Sequence, residues 1–194
     1  SNSMELDKKT SAMIDKTQQA INLGLCVILS YQSLQDETPK EFEVEPYEII
    51  HYHKSYYLIG FSLLRKDYRM YRFSPERMYS CEISSRHFIR DNHFHLSNYI
   101  GEHSLIPLDL KQVQVRVYHK ENGLRLFKEK YWGNKLQILN KQEAFTDFEF
   151  YTDDMSNLYQ SLFAMTNQVE ILQPEDVKSE YVLRIKKILN NYKG

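Results

Sequence analysis

The chain has 194 residues, 42% of them apolar, which is enough for one large or two small packed domains and excludes wholesale disorder. Charged residues reach 26%, but the two signs nearly cancel to a net charge of -1. That balance excludes the broad cationic surface of a general nucleic-acid binder and leaves only local anion sites. The 15 Tyr and 10 Phe, against a single Trp, suit β-rich structure with half-buried polar surfaces. No apolar run approaches the ~20 residues that span a bilayer. Met4 to Lys16 is too polar for a signal peptide, so a cytoplasmic location without membrane contact is expected. Ser1-Asn2-Ser3 before Met4 reads as the remnant of a cleaved tag.

The first helix is expected over Thr10 to Leu23, with Ile14, Thr17, Gln18 and Ile21 on one face, Met13 and Ala20 beside them, and Gly24 as the stop. Leu25 to Tyr31 is apolar on both faces at first and reads as a buried strand. Ser33 to Lys40 is a polar turn, after which Phe42 and Val44 alternate with glutamates. At Pro46 the phase slips, and Tyr47, Ile49 and His51 carry the inward pattern on, so a bulge or bend is expected there. His53-Lys54-Ser55 turns the chain into Tyr56 to Phe61, Arg65-Lys66-Asp67 turns it into Tyr68 to Phe73, and a last strand covers Arg77 to Ile83. One helix and five short strands joined by tight turns predict a small SH3- or Sm-like barrel over residues 10–86.

Residues 87–110 lack a clean period, include Pro107, and read as a linker. Beyond it Val113, Val115 and Val117 alternate with polar residues as a half-buried strand. Leu124, Phe127 and Tyr131 follow at helical spacing, ended by Gly133. Leu136 to Leu139 and Ala144 to Tyr151 form a hairpin with Phe148 and Phe150 inward. Asp153 or Asp154 caps a helix carrying Met155, Leu158, Tyr159, Leu162 and Phe163. Val169 to Leu172 is a short strand, and Pro174 opens a last helix whose buried stripe is expected to be Val177, Tyr181, Ile185 and Leu189. The order β-α-β-β-α-β plus a helix predicts a ferredoxin-like α/β domain over 111–194, so the fold class is α+β.

Chemistry-bearing patterns are few. The sequence holds no nucleophile elbow, zincin motif or phosphate-cradling glycine loop. His51 with His53, and His93 with His95, are His-x-His pairs without an evident third ligand, so no metal or cofactor is expected. Cys26 and Cys81 sit in apolar strands as buried, reduced thiols. Tyr31, Tyr56 and Tyr57 offer stacking faces and hydroxyls, and Arg69, Arg72 and Arg77 offer guanidinium forks suited to phosphate oxygens. The bland alternative is an amphipathic rim of a barrel. Arg69 and Arg72 differ by three along a strand and point to opposite faces unless a bulge intervenes; Arg69 is the first choice for a pocket.

The stretch from Tyr31 to Ile83 resembles the WYL domain. The matching residues are Tyr31, Pro46-Tyr47, Tyr56-Tyr57-Leu58-Ile59-Gly60 in the place of the naming triplet, Arg69-Met70-Tyr71-Arg72-Phe73, and Arg77-Met78. The second half is similar to the extension that often follows such a domain, through Leu162-Phe163 and Val169-Glu170-Ile171-Leu172-Gln173-Pro174. Tyr56 replaces the naming tryptophan, Ser74-Pro75-Glu76 lengthens the segment before Arg77, and Thr166 stands where the extension commonly has glycine.

The resemblance implies a ligand-sensing, non-enzymatic part of a bacterial transcription regulator. Its effector would be nucleotide-like or single-stranded nucleic acid, held by Tyr31, His51, Tyr56, Tyr57, Arg69, Arg72 and Arg77. Most members carry a winged helix-turn-helix ahead of this domain. Only a few residues precede it here, so DNA contact is expected through a missing or separate module, and a homodimer is the expected assembly. An enzyme acting on nucleotides or nucleic acid, or a dimerisation scaffold using the C-terminal helix or Trp132, are the alternatives.

Overall fold

Asp7 caps the first helix, α1 (Lys8–Leu23), its carboxylate accepting the Thr10 backbone N–H at 2.9 Å. Gly24 ends the helix in the left-handed conformation, with φ 65°. The computed structural model describes residues 7–52, 55–100 and 109–194. The buried stripe of α1 is Thr10, Met13, Thr17 and Ala20, so the inward face is rotated from the one expected and Gln18 is left exposed. The Thr17 hydroxyl satisfies itself on Met13 O at 2.8 Å, which lets a polar residue take a core position.

The chain forms two compact units, Ser1–Asp109 and Leu110–Gly194. Unit 1 follows α1 with β1 (Leu25–Tyr31), β2 (Lys40–Tyr52), β3 (Ser55–Ser62), β4 (Asp67–Arg72) and β5 (Met78–His87). All neighbours are antiparallel, in the order β4-β3-β2-β1-β5. The expected helix and five strands are present, and the expected turn at His53-Lys54 lies outside the described residues.

The closed barrel is not. Among the described residues no ladder joins β4 to β5, so the strands make an open five-stranded sheet. Two of the N–H groups at the end of β4 are already taken: Arg72 N–H by the Tyr31 hydroxyl, and Phe73 N–H by Tyr56 O. Side chains join the two ends instead. Tyr71 and Phe73 share one core with Met78 and Cys81, and with Val27, Leu29, Val44, Leu58 and Met13 between them.

The phase slip at Pro46 is a bulge between Pro46 and Glu48 in the β2–β3 ladder. Gly60 sits opposite Pro46, where a Cβ would run into Val44 Cγ1 and lie 2.9 Å from Glu45 O. Only glycine lets β3 pass this close to the bend. The bulge turns Tyr47 to the second face of the sheet, where it packs with Ile59 and Phe94. Phe88, Leu96 and Tyr99 add to that cluster, and Phe94 stacks on Tyr99 at 5.0 Å, so part of the stretch read as a linker packs on the sheet. Residues 101–108, with Pro107, lie outside the described residues.

Unit 2 runs β6 (Lys111–Tyr118), α2 (Gly123–Lys128), β7 (Asn134–Lys141), β8 (Phe145–Thr152), α3 (Met155–Met165), β9 (Val169–Gln173) and α4 (Glu175–Asn190). This is the β-α-β-β-α-β order expected, in an antiparallel sheet β7-β8-β6-β9. Val113, Val115, Val117, Phe148 and Phe150 bury the face that packs with Leu158, Leu162 and Met165 of α3. Asp154 is the α3 cap, accepting from Asn157 N at 3.0 Å. The helix at Leu124 is shorter than its spacing suggested: α2 stops at Lys128 and Tyr131 is exposed. Trp132 is not at a partner-facing surface within this unit; it stacks on Phe127 at 4.6 Å and donates to Phe127 O.

The expected stripe of α4 is corrected most. Val177 is buried and Tyr181 packs on Phe163, but Ile185 and Leu189 are exposed, along with Ile188. Apolar spacing marks which side of a helix is greasy, and here Val177 and Tyr181, in the first half of α4, are the ones that reach the core of the unit.

Candidate functional site

Tyr31 ends β1 at a register shift in the β1–β5 ladder between Ser30 and Tyr31, where it pairs with Met78. The shift re-aims the phenol toward the ends of β4 and β5. Its ring meets Tyr71 edge to face at 5.2 Å, and its hydroxyl accepts Arg72 N–H at 3.0 Å. Burial pushes the neighbouring Tyr71 phenol up to about 12. It therefore stays a neutral, packed ring through the physiological range.

Arg77 reaches the same hydroxyl from the other side. The inserted Ser74-Pro75-Glu76 closes a tight turn in which Arg77 N and Met78 N both donate to Ser74 O, at 3.1 and 2.9 Å. That turn delivers the guanidinium against the Tyr31 ring, 5.5 Å from its centroid, with Nη2 at 3.4 Å from the hydroxyl. Nε donates to Gln32 O at 2.8 Å, and Nη2 also donates to Asp109 Oδ2. The residue is only 7% exposed, and Nη1 is buried with no acceptor among the described residues.

Arg72 and Tyr57 are direct cross-strand partners on β4 and β3. Arg72 Nη1 lies 3.4 Å from the Tyr57 hydroxyl and Nη2 donates to Ser55 Oγ at 2.6 Å. Tyr31, Tyr57, Arg72 and Arg77 are thus tied into one chain of contacts at the β1, β4 and β5 ends. Ser55, Gln32 and Asp109 complete it. Sequence reading missed these three: Asp109 is 32 positions from Arg77, and no local pattern marks any of them.

The other expected residues lie elsewhere. Arg69 stands opposite Gly60, on the face of β4 away from the Arg72 side chain, and its Nε and Nη2 bind both oxygens of Asp67 at 2.7 and 3.1 Å. An aspartate two residues earlier on the same strand face was the readable sign of that pair. His51 is exposed, opposite Tyr56 in the β2–β3 ladder, and the two rings lie 4.8 Å apart. Both cysteines are buried and free, and burial pushes the Cys26 thiol up to about 11. They are unreactive core residues.

An arginine fork held against a tyrosine where β1 ends is chemically able to pair with an oxyanion, since guanidinium N–H groups match phosphate or carboxylate oxygens. Residues 12–81 match the model of the WYL domain. No curated protein matches the chain. Among solved structures it is similar to proteasome accessory factor B/C (PafBC) of Arthrobacter aurescens, at 20% identity and TM-score 0.45, over 98% of this chain and 28% of that one. It is also similar to a CRISPR Cas-related protein, at 14% identity and TM-score 0.48, over 94% of this chain and 52% of that one. The chain therefore spans about a quarter of the first and half of the second. Residues 12–81, from α1 into β5, are thus a WYL domain.

Proposed function

We propose that the chain is the effector-sensing part of a bacterial transcription regulator, binding a nucleotide-like or single-stranded nucleic-acid ligand and catalysing no reaction. The observation that carries this reading is the Arg77 fork held on the Tyr31 hydroxyl, with its Nη1 buried and, among the described residues, without an acceptor. Arg72 meets that hydroxyl through its backbone N–H, and its guanidinium lies beside it on Tyr57 and Ser55. Phosphate oxygens fit such donors, while the Tyr31 and Tyr57 rings are buried and wall the site rather than offer a face to a base. The strand order with a bulge in its long second strand supports reading unit 1 as an SH3- or Sm-like barrel opened between β4 and β5. No described helix is long and apolar enough to cross a membrane. A cytoplasmic homodimer that meets DNA through a separate winged helix-turn-helix completes the reading.

The test is fluorescence anisotropy with a 5′-phosphorylated, labelled oligothymidylate at low and moderate salt. Binding by the native chain, lost in Arg72→Gln and Arg77→Gln but kept in Arg69→Gln, is expected. Equal binding by all four, or none by the native chain, sinks the reading. Sedimentation across a concentration series tests the homodimer, and a monomer throughout removes it.

A further inference from the structure

Arg77 carries five N–H donors in a fixed fork. Nε is used on Gln32 O, and Nη2 on the Tyr31 hydroxyl and Asp109 Oδ2. Nη1 is used on nothing among the described residues and is shielded from solvent. Arginine and carboxylate frequently pair fork to fork, on two nitrogens at once. Asp109 does not: it engages Nη2 only, and the same oxygen also accepts Leu34 N–H at 2.7 Å. A buried guanidinium without a counter-ion is strongly unfavourable, so some anion must sit there in the unliganded protein.

We propose that Asp109 is that resident counter-ion, occupying the place of a ligand phosphate, so that ligand binding and release of Asp109 from Arg77 are one competitive step. The inference rests on the reading of Arg77 as part of the effector site. An anion with three oxygens at one centre satisfies Nη1 as well as Nη2, which Asp109 does not, and so has a differential affinity that can drive the exchange. The Asp109 side chain is 23% exposed against 8% for that of Arg77, so the carboxylate stands on the approachable side. Asp109 is also the last residue before unit 2 begins at Leu110, so the group exchanged is the end of unit 1 itself.

Two measurements test this on the full chain. The first titrates inorganic pyrophosphate and the 5′-phosphorylated oligothymidylate into the native protein, Asp109→Asn, Asp109→Glu and Arg77→Gln. With the competing charge removed, Asp109→Asn is expected to bind about tenfold more tightly than the native chain. Asp109→Glu should stay near native, and Arg77→Gln should bind neither probe. The second needs no substitution: hydrogen exchange at the Leu34 amide, which loses its Asp109 acceptor, should speed up when pyrophosphate binds the native protein. Native binding with no gain in Asp109→Asn and an unchanged Leu34 amide overturns the exchange while leaving the effector site standing. No binding by native protein or Asp109→Asn overturns both. Binding of pyrophosphate by Asp109→Asn alone upholds the exchange and removes the nucleic-acid effector.

Discussion

The Tyr31 hydroxyl accepts the backbone N–H of Arg72 at 3.0 Å, so a side chain from the end of one strand closes the hydrogen bonding at the end of another 41 positions away. The same oxygen is a neighbour of Arg77 Nη2. Tyr31→Phe keeps the ring against Tyr71 and removes only that oxygen. An N–H left without its acceptor in a part-buried position costs about 1–3 kcal/mol. Urea unfolding should show a loss of that size with an unchanged slope, together with weaker oligothymidylate binding. Unaltered stability would mean that water replaces the phenol there.

Thr166 follows α3 with φ 54° and ψ -128°, a conformation that glycine adopts freely and a β-branched residue does not. It is the position where the resemblance leads one to expect glycine. Thr166→Gly should therefore stabilise unit 2 by about 1 kcal/mol, because relief of backbone strain outweighs the added freedom of the unfolded chain. Thermal melting checks the sign. A lower melting temperature would show that the Thr166 side chain contributes more than its backbone costs.

The α4 helix separates two kinds of apolar residue with the same sequence spacing. Val177 is 1% exposed in the core of unit 2, whereas Leu189 is 49% exposed. Val177→Ala leaves a cavity and should cost about 2 kcal/mol. Leu189→Ala should fall within about 0.5 kcal/mol. Matched denaturation curves decide it, and equal losses would show that the outer ridge of α4 is covered in solution.

That contrast also shows what was legible beforehand. Strand alternation at Val113, Val115 and Val117 marks the core face because β6 is an inner strand, between β8 and β9, with one face packed on α3. The slip at Pro46 was visible because proline and a changed phase coincide. Periodicity could not tell Val177 from Leu189, since it records which residues share a side and not whether anything lies opposite. In the candidate site, the family pattern points to Tyr31, Tyr57, Arg72 and Arg77, which the fold brings into one chain of contacts. Arg69 has its pairing signalled by Asp67, two residues earlier on the same strand. Asp109 has no local signal: it stands 32 positions beyond Arg77, with β5 between them in the sequence.

Glu149 of β8 lies on the sheet face opposite the aromatic core, buried beneath amides that converge on it. Gln114 donates to Oε2 at 2.7 Å, Gln137 to Oε1 at 2.8 Å and Gln112 to Oε2 at 2.6 Å. The Gln114 bond foremost, then those of Gln137 and Gln112, hold its carboxyl below the usual glutamate range, against the opposing effect of desolvation. A folded-state value below the unfolded one means that the unfolded chain binds the proton more readily in acid. The stabilisation is thus complete above the unfolded value of about 4.3 and fades as pH falls through the folded one. Glu149→Gln replaces a two-oxygen acceptor with one oxygen and an N–H₂ group facing other donors. It should destabilise unit 2 at neutral pH and flatten the fall in stability between about pH 5 and 3. Unfolding free energies of native and variant protein across that range provide the check. Parallel pH curves would show that Glu149 carries none of the acid sensitivity.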